Sequence, residues 1–182
     1  MTGDRIAVFA LGAVLAFWMV GAYNRLVALR NAIGSAWAQV DEQLQRQRES
    51  LQALLAALRP HLADEAAALD ALQGALLQVQ AAAEAVRARP VAAGLTAALL
   101  TAEEVLANAS ARMLALLEHR PDLRDDSAEV AGPLQALKDL EPRMAFARQL
   151  FNDAARTYNE AAREFPTRLL TRLYGFGTAG HL

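Results

Sequence analysis

From Ile6 to Ala22 every residue is apolar or glycine, and beyond that stretch the apolar residues recur at alternating steps of three and four. A helix from Ile6 to Leu26 rises roughly 30 Å, the thickness of a bilayer's hydrocarbon core. Trp18 and Tyr23 lie toward its far end, where an interfacial aromatic belt places such side chains. The pattern predicts one transmembrane helix over 6–26 behind a short N-terminal tail, 1–5. Val20-Gly21-Ala22 loosely fits the small-residue site at which a secretory signal is cut. The helical period runs straight through it into Tyr23, Leu26, Leu29 and Ile33, with no polar, turn-forming region, so a retained anchor is the reading.

Past the membrane, Leu26, Leu29, Ile33, Trp37, Val40, Leu44, Leu51, Leu54, Leu58 and Leu62 form a coiled-coil-like seam with one polar gap at Gln47. Arg59-Pro60 ends it, since proline lacks the amide donor and disfavours helix in the residue before it. A second helix follows Asp64 with Leu69, Leu72, Leu76, Val79, Ala83 and Val86, and stops at Pro90. A third, from Val91 to Glu118, carries Leu95, Leu99, Leu106, Met113 and Leu117. The fourth, from Leu134 to Glu164, sets Leu140, Met144, Ala147, Phe151, Ala154, Tyr158, Ala161 and Phe165 on one stripe, and Pro166 terminates it. With short connections except for 121–133, these segments predict an all-α fold: a transmembrane helix continuous with a long antiparallel four-helix bundle over 27–166. An amphipathic tail, 167–182, completes the chain.

Charge and candidate chemistry narrow the function classes more than they name one. The net charge is −2, and arginines are interleaved with carboxylates, so no basic stripe offers a footprint for nucleic acid. Cysteine is absent, which excludes disulfides and thiolate chemistry. His61, His119 and His181 are scattered without an HExxH-type pairing. No catalytic constellation, cofactor motif or metal-ligand set is expected. Arg5 precedes the apolar stretch while Arg25, Arg30, Arg46 and Arg48 follow it, which favours a bundle on the cytoplasmic side.

Two separated blocks carry a more specific signal. The first runs Tyr23-Asn24-Arg25-Leu26-Val27, Leu29-Arg30-Asn31, Ile33, Ala36-Trp37, Gln39-Val40-Asp41, Gln43-Leu44 and Arg46. The second has Pro121-Asp122-Leu123, Glu141, Arg143, Ala145, Ala147-Arg148, Phe151-Asn152-Asp153-Ala154, Tyr158-Asn159, Phe165-Pro166 and Gly175-Phe176. In content and order they resemble the LemA family of bacterial membrane-associated proteins. The chain departs from the family where Gln52-Ala53 stands in place of a Pro-Asn step and Glu49 in place of an aspartate. The resemblance implies a single N-terminal membrane helix, a helical bundle and no established catalytic activity.

In an antiparallel bundle the last helix returns to the membrane-proximal end of the first. That register sets Asn159 near Asn31, Asn152 near Trp37 and Arg148 near Asp41, and it predicts an Asp41–Arg148 ion pair with asparagines in polar layers that fix register. An alternative role for Arg148, Asn152, Arg156, Asn159 and Arg163, with Tyr158 among them, is a partner-binding surface along the last helix. In the tail, Arg168, Leu169, Arg172, Leu173, Tyr174 and Phe176 make a short basic amphipathic piece suited either to the headgroup region or to capping the bundle.

The functional expectation is a non-enzymatic, membrane-anchored scaffold of the bacterial inner membrane that assembles with other copies of itself or gathers partners at the bilayer. The alternative is an adaptor subunit for another membrane protein, such as a protease, transporter or signalling protein.

Overall fold

The computed structural model describes residues 2–125, 127–164, 168 and 177–182. Helix α1 spans Thr2–Leu58, and a 3₁₀ turn at Ala63–Glu65 leads into α2, Ala66–Ala88. Helix α3 spans Ala93–Glu118, α4 is a short piece at Pro121–Asp125, and α5 spans Ala128–Arg163. No strand occurs among the described residues. The fold is all-α, and the long apolar N-terminal helix continues into a bundle as the first of four long helices among the described residues. Helices α1 and α5 pack closely along their lengths, α2 and α3 form a second close pair, and α1 and α2 meet less extensively.

Long-range contacts fix the register of α1 against α5. Arg25 pairs with Glu164 at 2.9 Å near the start of the bundle. Further along, Trp37 meets Phe151 edge to face, with ring centroids 6.1 Å apart and planes at 72°. At the opposite end Arg59 of the connecting turn pairs with Asp70 of α2 at 3.1 Å. The seam residues Leu26, Ile33, Trp37, Val40, Leu44, Leu51, Leu54, Leu58 and Leu62 are all buried, as are Leu69, Leu72, Leu76, Val79, Ala83 and Val86 of α2. Trp37 of α1 and Phe151 and Tyr158 of α5 are buried together with Ala147, Ala155 and Ala161, and Ala75, Ala83 and Ala102 are buried on α2 and α3.

Three boundaries differ from the sequence reading. The segment 121–133 is no open connection: Pro121 opens α4, where its missing amide donor costs nothing, and Leu123 buries that piece against the core. Helix α5 begins at Ala128 rather than Leu134, so Pro133 joins Pro142 inside it. Each forfeits a backbone hydrogen bond there. Val130, 2% exposed, packs into the core from the added turns and offsets the loss. Lastly, α1 is helical from Thr2 among the described residues, and its packing against the bundle begins inside the expected span: Leu26 is fully buried and Ala22 packs on the core. From Ile6 to Gly21 the helix is wholly exposed. The best 18-residue window near this end has a mean hydropathy of 2.1 and none of it is buried, so the helix is long and apolar enough to cross a membrane.

Candidate interaction site: a polar waist and a clasped tail

Midway along the bundle the seam admits polar side chains. Asp41 follows Val40 round α1, just off the core stripe, which turns its carboxylate toward α2. There Arg87 forks onto it: Nη2 donates to Oδ1 at 2.7 Å and to Oδ2 at 2.8 Å, and Nε donates to Oδ2 at 3.1 Å. Gln45, one turn on, adds a bond to Oδ2 at 3.0 Å. Both carboxylate oxygens are therefore satisfied although Asp41 is 9% exposed. The Asp41 carboxylate in turn raises the pKa of the Arg87 guanidinium, first through the hydrogen bond and then through its charge.

Across the waist Arg148 of α5 reaches α3, where its Nη2 donates to Glu103 Oε1 at 2.6 Å. Neither Glu103 Oε2 nor Arg148 Nε, both buried, has a hydrogen-bond partner. Burial pushes the Glu103 carboxyl above the usual glutamate range, with the charge and hydrogen bond of Arg148 pulling the other way. The expected Asp41–Arg148 pair is thus replaced by two pairs that tie neighbouring helices, α1 to α2 and α5 to α3. The expected register places 41 and 148 at one level; the side chains simply leave their helices toward different neighbours. Gln47, the polar gap in the seam, lines both a cavity of about 290 Å³ beside Asp41 and Arg87 and one of about 460 Å³ beside Glu103 and Arg148.

The second feature sits nearer the apolar end. Phe151 and Tyr158, seven residues apart on α5, are both fully buried. One position round the helix from each stands an asparagine, half buried at the edge of the core. These asparagines form no polar layer with α1, and Asn31 is exposed. Each instead clasps the backbone of the tail. The side-chain amide of Asn159 donates to Ala179 O at 2.9 Å while its Oδ1 accepts from Ala179 N–H at 2.8 Å. Asn152 repeats the pattern on Leu182, at 2.7 and 2.8 Å. Tyr158 adds a bond from its hydroxyl to Gly177 O at 3.2 Å. Burial raises the pKa of that phenol, with the Arg30 charge opposing.

The remaining site residues divide. Arg156 is exposed and pairs with Asp153 on its own helix at 3.4 Å. Arg163 is exposed at the end of α5. The partner surface expected along α5 is therefore broken up, with Arg148 turned into the waist and both asparagines occupied. Arg168 is exposed, and its backbone N–H donates to Glu164 O at 2.9 Å. Leu169, Arg172, Leu173, Tyr174 and Phe176 lie outside the described residues, and the expected membrane-surface contact with them. Residues 177–182 carry no helix or strand and dock on α5. Among the described residues no group of three or more His, Asp or Glu is arranged to hold a metal ion.

Comparison with known proteins places this architecture. The profile of the LemA family matches residues 36–181, from the seam through the clasped tail. The chain belongs to the LemA family. The match takes in both asparagine couplets and nearly all of the segment they hold, so the clasp lies within the LemA region. It begins beyond the apolar segment. No curated protein matches the chain. LemA is not known as an enzyme family.

Sequence reasoning singled out both aromatic-asparagine couplets but missed their ligand. The available signal was the repeat itself: aromatic-asparagine couplets seven apart put two amides on one stripe, and small residues at Gly177, Ala179 and Gly180 supply a backbone that can lie against it. It also passed over Arg87 and Glu103, which sit in an alanine-rich stretch without a motif.

Proposed function

We propose that this LemA family member is a non-enzymatic scaffold anchored in the bacterial inner membrane, with its bundle in the cytoplasm, that gathers copies of itself at the bilayer. One observation carries the reading: a single unbroken helix holds both the exposed apolar segment from Ile6 and the core residues from Leu26 onward. A cleavable signal is normally a separate element; here the helix runs through Val20-Gly21-Ala22, and Ala22 already packs on the core. The arginines that follow the span, Arg25 and Arg30 first, favour a cytoplasmic bundle. The waist supports the non-catalytic part of the proposal, because its charges are spent on one another rather than aimed at a common point where a substrate atom could sit.

The test is the mass of the full-length protein after gentle detergent extraction, by light scattering with the detergent contribution subtracted. A defined multiple of the 19.6 kDa chain supports the scaffold. A single chain, or a one-to-one complex with a different protein, overturns it in favour of an adaptor subunit.

A further inference from the structure

The segment 177–182 is held as a protein holds a peptide. Its backbone is read by two asparagine amides, each donating to a carbonyl and accepting from the amide N–H of the same residue. Together with the Tyr158 hydroxyl they make five hydrogen bonds to the tail. The spacing is matched. Seven helical residues from Asn152 to Asn159 rise about 10.5 Å, and three extended residues from Ala179 to Leu182 cover about 10 Å. The tail therefore runs antiparallel to α5, with one clasp at each end of the matched length.

Side-chain selection comes from the opposite wall. Gly180 is buried against the start of α3, and a Cβ there would run into the Thr96 hydroxyl and meet Ala93 Cα at 2.9 Å. Thr96 cannot swing clear easily: it is 1% exposed, and its hydroxyl is bonded to Ala93 O. Ala179 is 5% exposed within the core, and Leu182 packs at its edge. The groove thus reads an extended segment with alanine, then glycine, then an apolar residue two positions further on.

We propose that this groove is an extended-peptide site and that its exchange ligand is residues 177–182 of a second copy, so that anchored chains link by trading tails. The proposal rests on the scaffold reading and names its contact. Nothing in the recognition distinguishes a chain's own tail from a neighbour's, because the contacts are to backbone and to side chains every copy carries. Nor does chain length restrict the choice. From Glu164 back to the level of Tyr158 is about 9 Å of helix, whereas a segment as long as 165–176 reaches about 40 Å when extended. Anchoring confines copies to a plane and raises the local concentration of neighbouring tails. Exchange of an identical element is a low-cost route to association.

Two measurements on the full-length protein in detergent test this. First, a fluorescently labelled peptide of residues 177–182 is titrated against the protein truncated after Phe176. Saturable binding is expected, weakened at least about tenfold by the Gly180→Ala change in the peptide, which leaves the protein untouched. Absence of binding, or binding indifferent to that change, overturns the site. Second, a copy with Asn152→Ala and Asn159→Ala but an intact tail is mixed with a truncated copy whose groove is intact, each carrying one member of a fluorescence-transfer pair. Transfer is expected in the mixture and lost when the tail-bearing copy also carries Gly180→Ala. If the wild-type protein forms oligomers and the mixture shows no such transfer, tail exchange is overturned while the scaffold stands. A wild-type protein of single-chain mass overturns the scaffold whatever the peptide does.

Discussion

Asp41–Arg87 and Glu103–Arg148 join neighbouring helices at nearly the same N–O distance, 2.7 and 2.6 Å, and from the same chemical classes of side chain. Their surroundings differ. The Arg87 side chain is 50% exposed and approaches with its fork open, so both oxygens of the carboxylate it meets are hydrogen-bonded. Arg148, at 31%, and Glu103, at 13%, touch through one nitrogen and one oxygen and leave a buried atom unpartnered on each side. Charge pairing alone thus says little about stabilisation. The first pair leaves its cation half exposed to water and gains a bidentate contact, while the second gives up hydration on both sides for a single bond.

Breaking the second pair should have the largest effect. Arg148→Ala leaves the Glu103 carboxyl buried without its counter-charge and is expected to cost about 3 kcal/mol in denaturant unfolding. Replacing both partners together, Glu103→Leu with Arg148→Met, should bring stability back to the wild-type level or above it. A double replacement as damaging as the single one would show that the pair is stabilising after all. The first pair should give less when broken. Asp41→Asn keeps the shape and the acceptor but removes the charge; because Arg87 is half exposed, the expected loss is about 1 kcal/mol.

The smallest and sharpest difference lies in pH dependence. Glu103 has a raised pKa in the folded state, so between the ordinary glutamate value and its own the native protein binds more protons than the unfolded chain. Stability from this group is complete below the ordinary glutamate pKa and is lost as pH rises through the folded one. Subtracting the unfolding free energy of Glu103→Gln from that of the wild type, at each pH from about 4 upward, should give a difference that falls with pH. Asp41→Asn should leave that fall in place. A flat difference for Glu103→Gln would show that the carboxyl is not held in an unfavourable environment.

What was legible in the chain follows from what each signal encodes. The three-four spacing reports one helix face against one core, so Leu26 to Leu62 and Leu69 to Val86 were readable as stripes, and the antiparallel register of α1 with α5 followed from topology. Which way Asp41 and Arg148 point was not legible. Each lies beside a stripe where two neighbours compete, and Arg87 and Glu103, the residues that decide it, sit in alanine-rich helices with no distinguishing pattern. Pro133 read as a boundary because its local cost is visible in sequence, whereas the compensating burial of Val130 is a tertiary fact. The asparagines stood out at once. Their ligand did not, because a backbone clasp selects conformation and leaves little trace in the residues clasped.

The unbroken run of α1 from Thr2 to Leu58 also has a mechanical side. From Ala22 onward the helix extends about 55 Å beyond its apolar end. With that end seated in a bilayer, a change of tilt of about 10°, well within what thickness mismatch produces, sweeps the Arg59 end sideways by about 10 Å. Because α5 is keyed to α1 from Arg25 to Trp37, the clasped tail sits near the pivot while the far turn describes the wide arc. Under the anchored arrangement proposed above, the molecule would work as a lever: lipid thickness would act on the short arm, and the far end would register it.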